Sequence, residues 1–159
     1  FSKTDEHIAL ARVAAAFDGI YTSHIRDESR YNIGLIAAVD EVIQVAREAR
    51  LPGIVTHIKA STRACWGMSA EVIRNINAAR AEGVEVFADQ YPYDASGTSL
   101  SAALIPGWAM EGGESKLRKR LKDPALRAKV RASVGENLEN RGGAESILIS
   151  SNRADRTLE

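Results

Sequence analysis

The sequence predicts an α/β fold in which parallel strands alternate with helices. Along its 159 residues, helix-like segments rich in alanine and leucine alternate with short β-branched segments. The first three predicted strands begin at residues 20, 54 and 84, and a spacing of about 30 residues suits one strand, one helix and their loops. Such alternation is typical of a parallel sheet with helices on its faces and right-handed crossovers.

The first part of the chain contains three predicted helices, each followed by a strand. The helices are expected at residues 7–17, 37–50 and 69–81, where apolar residues recur at helical spacing. The third has Ser69 as a plausible N-cap. Glycine or proline in the next turn ends each helix. The strands are expected at residues 20–24, 54–58 and 84–88, which are short and β-branched.

The last part of the chain is predicted to be mainly helical. Helices are expected at residues 114–121 and 124–138, with Asp123 as the cap and Pro124 in the first turn of the second. Four apolar residues of these helices are predicted to face inward: Leu117, Leu121, Leu126 and Val130.

A fourth strand is predicted at residues 146–150, where the sequence is SILIS. We therefore interpret residues 1–159 as a single α/β segment with a helical insertion at about 101–143.

Composition limits the classes of partner. Basic and acidic residues number 21 each, so the formal net charge is zero. Proteins that coat nucleic acid or anionic lipid usually carry a basic surplus, so we expect no nucleic acid and no membrane partner. The single cysteine, Cys65, cannot form an internal disulfide, and we predict that it is buried and that the protein is cytoplasmic.

Two similar phrases place histidines at the ends of successive strands. GIYTSHIR at residues 19–26 contains His24, and GIVTHIK at residues 53–59 contains His57. Neighbouring parallel strands lie about 4.8 Å apart, so imidazoles at equivalent ends can converge on one metal ion such as zinc. The residues alone leave metal binding and simple packing equally open. His7, the third histidine, is expected at the surface.

Other polar residues follow the same strands. Lys59 comes two residues after His57 and could pair with a substrate carboxylate or simply lie at the surface. Asp89 could bind metal, hold a histidine ring or cap a turn. Tyr91 could line a pocket or pack. The glycine-rich and serine motifs of dinucleotide-binding proteins, P-loop proteins and serine hydrolases do not occur.

Several of these motifs together resemble the N-acyl-D-amino-acid deacylases, or D-aminoacylases, of the metal-dependent amidohydrolase superfamily. The resemblance rests on YTSHIRDE, VTHIK, Trp66-Gly67, ADQYPYDASGTSL, Trp108-Ala109 and KDPALRAKV, in this order along the chain. The likeness spans nearly the whole chain, and DQYPY is its most specific part.

The resemblance implies a zinc-bearing (β/α)8 TIM barrel, of which this chain would form a part, and hydrolysis of the amide bond of N-acyl-D-amino acids. It implies that His24 and His57 are metal ligands, and that Lys59 and Tyr91 contact the substrate. The family's proton-shuttle aspartate has no counterpart in these residues, so we expect the segment by itself to be inactive.

Two other functions stay open from the sequence. The parent protein could be another amidohydrolase, acting on cyclic amides as dihydroorotases and hydantoinases do, or the segment could be a non-catalytic α/β binding domain. In addition, unpaired edges of a partial barrel could support a homo-oligomer.

Overall fold

The computed structural model describes residues 2–152 and residue 157. These residues form two compact units, unit 1 up to Tyr93 and unit 2 from Asp94 onward. Unit 1 contains the sheet, whereas the described residues of unit 2 are helical or irregular. The prediction of a single segment with an insertion is not tested by this division.

Unit 1 has a three-stranded parallel sheet with the strands in chain order, β1-β2-β3. Its elements are α1 (Thr4–Ala15), β1 (Tyr21–Ser23), α2 (Leu35–Ala49), β2 (Gly53–Ile58), α3 (Ser69–Ala81) and β3 (Val86–Gln90). The predicted α/β class with parallel strands is confirmed, and the order is that of consecutive units of a (β/α)8 barrel.

The core of unit 1 lies between α2 and the sheet. The helix buries a continuous apolar side because its apolar residues recur at helical spacing. Val55 on β2 and Val86 on β3 are fully buried in the same cluster, together with Cys65 as predicted. The buried side of α2 consists of Leu35, Ala38, Val39, Val42, Ile43, Val45, Ala46 and Ala49.

A glycine allows β2 to approach α2 closely. A Cβ atom at Gly53 would lie 2.8 Å from the Cβ of Ala46 and 3.4 Å from Val42. Gly53 also donates its N–H to the carbonyl of Glu85 at 2.9 Å and so links β2 to β3. The strand therefore cannot accept a larger residue here without moving away from the helix.

The predicted elements of unit 1 all exist, but some ends differ. β3 begins two residues later than predicted, at Val86, and ends at Gln90. Ser69 is the first helical residue of α3 rather than its N-cap, which is Met68. His7 is half-buried and lies against Tyr21, with its Nδ1 3.0 Å from the Tyr21 hydroxyl.

Unit 2 has its own small helical core. The elements are α4 (Leu100–Leu104), α5 (Gly107–Met110), α6 (Glu114–Lys122) and α7 (Pro124–Asn140). Leu117 and Val130 are buried against Ala109, as predicted, and Leu121 is half-buried beside them. Asp123 caps α7 by accepting the N–H groups of Ala125 and Leu126. The inward prediction for Leu126 is wrong, since this side chain is exposed.

The predicted fourth strand at 146–150 is also wrong. Ser146 ends a short 3-10 turn, Ala144–Ser146, and residues 147–150 have no regular structure. A β-branched run becomes a strand only where a neighbouring strand supplies hydrogen-bond partners, and the described residues of unit 2 contain no strand.

Within the described residues, every helix is too short or too polar to cross a membrane.

Gly53→Ala should destabilise the full chain by about 1–3 kcal/mol, because the added methyl group overpacks the contact between β2 and α2. Denaturant unfolding measures this change. Gly97→Ala is the matched control, since no atom lies within 4 Å of its added Cβ. Equal stability of the two variants would show that α2 moves freely to accept the methyl group.

Candidate functional site

The two strand-end histidines meet at the carboxyl edge of the sheet. Parallel pairing sets Ser23 opposite Val55, so His24 directly follows β1 while His57 lies near the end of β2. Their ring centroids are 4.6 Å apart and the ring planes are inclined at 65°. The structure thus brings together the two residues that the repeated phrase singled out.

A bulge in β2 determines where His57 lies. The register against β3 shifts between Val55 and Ile58. Val55 pairs with Ala88 and Ile58 with Gln90, so β2 has one more residue than β3 over this stretch. His57 has a φ of 45°, in the left-handed region that non-glycine residues rarely adopt. A bulge re-aims a side chain and is common beside functional sites. Without it, His57 would share the face of buried Val55.

Asp89 stabilises this unusual backbone. Its Oδ1 accepts the N–H of His57 at 2.6 Å, in place of a regular ladder hydrogen bond. The sequence left three roles open for Asp89, and the observed contact is a fourth, because the carboxylate binds the histidine backbone and not its ring. Asp89 therefore helps to set the position of His57.

Glu28 is the residue of the site that the sequence argument did not single out. Its Oε1 lies 3.0 Å from Nδ1 of His57 and 3.7 Å from Nδ1 of His24, and its side chain is only 10% exposed. The available signal was its position four residues after His24, in the loop that follows β1. Nothing in a polar loop sequence shows which of its carboxylates turns inward.

Lys59 and Tyr91 lie beside His57. The Lys59 ammonium donates to Glu28 Oε1 at 2.6 Å and to the His57 carbonyl at 3.1 Å, and it is 2.9 Å from His57 Nδ1. It also lies 4.8 Å from the centroid of the Tyr91 ring. Tyr91 meets the His57 ring edge-on at 6.4 Å. All four sequence-predicted site residues therefore lie at one place.

The loop after β1 is organised by Asp27, which is almost fully buried. Its Oδ1 accepts the backbone N–H and the hydroxyl of Ser29, and its Oδ2 accepts the N–H groups of Asn32 and Gly34. Burial by itself raises the pKa of this carboxyl, but the four hydrogen bonds outweigh it and leave the pKa below its ordinary value. The loop that carries Glu28 is therefore held in place by hydrogen bonds to the Asp27 carboxylate.

A partly buried ion pair ties the same loop to α2. Arg26 donates to both oxygens of Glu41 at 3.0 and 2.7 Å, and Thr4 donates to Oε1 at 2.6 Å. Burial raises the pKa of Glu41, yet the hydrogen bonds from Arg26 and Thr4 leave it below its ordinary value. Arg26 and Asp27 thus fix the loop from two sides.

The donor set of the site suits a metal ion. His24, Glu28 and His57 each offer a ligand atom, and these atoms lie within 4.8 Å of one another. Two ligands of one zinc ion are at most about 4.2 Å apart, and both imidazole-to-Glu28 distances fall within this limit. The His24 side chain is 70% exposed, so its ring is free to turn toward an ion.

Comparison with known proteins identifies relatives of part of the chain. No family model matches it. The N-acyl-D-glutamate deacylase of Alcaligenes xylosoxydans xylosoxydans is 47% identical over 91 residues, which are 57% of this chain and 18% of that protein.

Two solved structures are also similar. An N-acyl-D-glutamate deacylase from Bordetella bronchiseptica, solved with zinc and a phosphonate mimic of the tetrahedral intermediate, has 41% identity and a TM-score of 0.54 over 58% of this chain and 19% of its own. A D-aminoacylase described as defining a novel subset of amidohydrolases has 31% identity and a TM-score of 0.56, over 66% and 22%.

These findings confirm the resemblance to the deacylases of the amidohydrolase superfamily and the metal-dependent character of the relatives. The matches cover 57–66% of the chain, so the expected likeness over nearly the whole chain is wrong. The chain spans about a fifth of the length of these proteins.

Asp27→Asn should destabilise the full chain by about 3 kcal/mol near neutral pH, because the new amide group faces N–H donors that lose their acceptor. This loss of stability should depend on pH. Because the folded-state pKa of Asp27 is lowered, the ionised carboxylate contributes its full stabilisation above the unfolded-state pKa of about 3.9. That stabilisation disappears as the pH falls through the folded-state pKa.

Denaturant unfolding of both proteins between pH 7 and pH 2 measures this difference. The difference in free energy of unfolding between wild type and variant should be largest near neutral pH and should decrease below about pH 4. Glu41 titrates in both proteins and cancels in the comparison. A difference in free energy of unfolding that is the same at every pH would contradict an ionised Asp27 in the folded protein.

Proposed function

We propose that the full-length protein carrying this chain is a metal-dependent hydrolase of the amide bond of N-acyl-D-amino acids. The main support is one geometric observation. In a pair of neighbouring histidines able to hold a metal, one member, His57, lies within hydrogen-bonding distance of a lysine able to hold a carboxylate. Two of the similar proteins are N-acyl-D-glutamate deacylases, which agrees with this proposal. We also propose that residues 1–159 form part of a TIM-barrel domain.

We assign the metal-binding role to His24 and His57, and zinc as the metal. Zinc is supported by the two neighbouring imidazoles and by the zinc-bound relative. When bound, zinc would supply a Lewis acid that activates water and polarises the acyl carbonyl. Asp89 would keep His57 in place for this task through the backbone contact at 2.6 Å.

We assign substrate binding to Lys59 and Tyr91. In an N-acyl amino acid, a single carbon separates the carboxylate from the nitrogen of the scissile amide. A site for such a substrate therefore needs its anion-binding group close to its metal-binding group. Lys59 Nζ is 2.9 Å from His57 Nδ1 and stands over the Tyr91 ring, and this proximity meets the requirement.

The general base is not assigned to any described residue. On the basis of the resemblance, we propose that an aspartate elsewhere in the full-length protein moves the proton from water to the leaving amine, and that the 159-residue chain alone does not catalyse the reaction. Because the relative with 47% identity is an N-acyl-D-glutamate deacylase, N-acyl-D-glutamate is the first substrate to test. Cyclic amides test the amidohydrolase alternative.

His24→Ala and His57→Ala should each remove stoichiometric zinc from the full-length protein and lower deacylation at least about a hundredfold, because each removes a proposed ligand. Metal analysis and amine release measure these losses. His7→Ala is the matched control, since His7 contacts Ser2 and Tyr21 and neither proposed ligand. Full zinc content in both ligand variants would refute the assignment, whereas a wild-type protein without stoichiometric zinc would favour the non-catalytic domain.

Asp89→Ala should weaken zinc binding by about 10- to 100-fold, because the backbone of His57 loses the acceptor that holds it. Competition with a chelator of known affinity measures the change. Asp94→Ala, which removes an exposed carboxylate nearby in the sequence, should leave the affinity unchanged. Equal affinities in the two variants would mean that the bulge holds His57 without help from Asp89.

A further inference from the structure

We propose that Glu28 is a positioning residue that aims Lys59 at the substrate carboxylate. This inference rests on the proposed function, because it takes Lys59 as the carboxylate-binding group. It adds a residue to which the resemblance assigns no role, and it explains why an acidic side chain lies inside a site that is meant to attract an anion.

Glu28 is the strongest partner of the Lys59 ammonium. The 2.6 Å contact to Glu28 Oε1 is shorter than those to the His57 carbonyl and the His57 ring, at 3.1 and 2.9 Å. Hydrogen bonds between two charged groups are about twice as strong as neutral ones. Both side chains are mostly buried, 20% and 10% exposed, so solvent screens the pair less than it would at the surface.

The carboxylate of Glu28 is itself fixed by contacts that do not involve Lys59. Its Oε2 accepts the Ser61 hydroxyl at 3.3 Å, and its carbonyl accepts the Ser61 N–H at 2.9 Å. The preceding residue is Asp27, whose four hydrogen bonds order the loop. A carboxylate held in this way can set the direction of a flexible lysine.

Positioning matters because a lysine side chain has four rotatable bonds. Holding it in one conformation costs rotamer entropy, and a site in which that entropy is already lost binds its ligand more tightly. With Glu28 in place, the ammonium lies between His57 and the Tyr91 ring before any substrate arrives. Without Glu28, the same ammonium has no other charged side chain in contact within the described part of the chain.

A second role for Glu28, as a third metal ligand, makes a different prediction. The 2.6 Å contact between Oε1 and the Lys59 ammonium supports positioning. The separations from the imidazole nitrogens, 3.0 and 3.7 Å, also suit two ligands of one ion, so zinc content is the measurement that distinguishes the two roles. In the positioning role, loss of Glu28 should leave the zinc content intact and change only how the site recognises a carboxylate.

The test uses the zinc-loaded full-length protein and two non-hydrolysable probes, N-methanesulfonyl-D-glutamate and its α-carboxamide. Titration calorimetry gives the ratio of their dissociation constants, which isolates recognition of the α-carboxylate. Glu28→Gln keeps the shape of the side chain and removes its charge. It should lower the preference for the acid about tenfold, at unchanged zinc content.

Three further variants separate the outcomes. Lys59→Met should abolish the preference, and adding Glu28→Gln to it should cause no further loss, since the two residues act through one contact. Glu82→Gln is the matched control, because Glu82 accepts a hydrogen bond from Arg47 at 2.6 Å at the opposite edge of the sheet. It should leave the preference unchanged.

Each result supports or overturns the inference. If Glu28→Gln keeps the wild-type preference while Lys59→Met loses it, Glu28 does not position Lys59 and the proposed function stands. If Lys59→Met keeps the preference, the proposed role of Lys59 fails. If Glu28→Gln loses zinc, Glu28 is a ligand and the positioning role is overturned. If Glu28→Gln does not fold, Ser61→Ala replaces it, and an unchanged preference in that variant overturns the inference.

Discussion

The parallel pairing of β1 with β2 is the constraint on which the candidate site depends. Because Ser23 lies opposite Val55, the two strands end at the same edge of the sheet, and the residues that follow them meet there. A shift of one residue would reverse the face of every side chain on one strand. The contacts of Gly53 and Val55 with α2 oppose such a shift, since both residues are buried and closely packed.

Three consecutive charged residues after His24 have three different structural tasks. Arg26 ties the loop to Glu41 on α2, Asp27 collects four hydrogen bonds within the loop, and Glu28 turns into the site. The first two are partly or fully buried charges, which are costly unless they are well paired. Their pairing makes the loop rigid, and the third carboxylate owes its position to that rigidity.

Electrostatic balance explains the composition of the site. In the proposed enzyme, an ion bound by His24 and His57 would share the site with the Lys59 ammonium, and like charges repel more strongly where they are partly buried. Glu28 supplies a negative charge beside both histidines and the lysine. This negative charge would offset part of the repulsion between the proposed ion and the lysine.

The α/β class, the parallel order, most helix positions and the convergence of His24 with His57 could all be predicted from the sequence. These features follow from local periodicity and from the geometry of parallel strands, which a linear pattern records. Only the tertiary structure decided the rest. The bulge at His57, the use of Asp89 as a backbone acceptor and the inward turn of Glu28 depend on partners about 30 residues away. The run at 146–150 likewise has no neighbouring strand within residues 2–152, because strand formation depends on hydrogen bonds to another segment and not on composition alone.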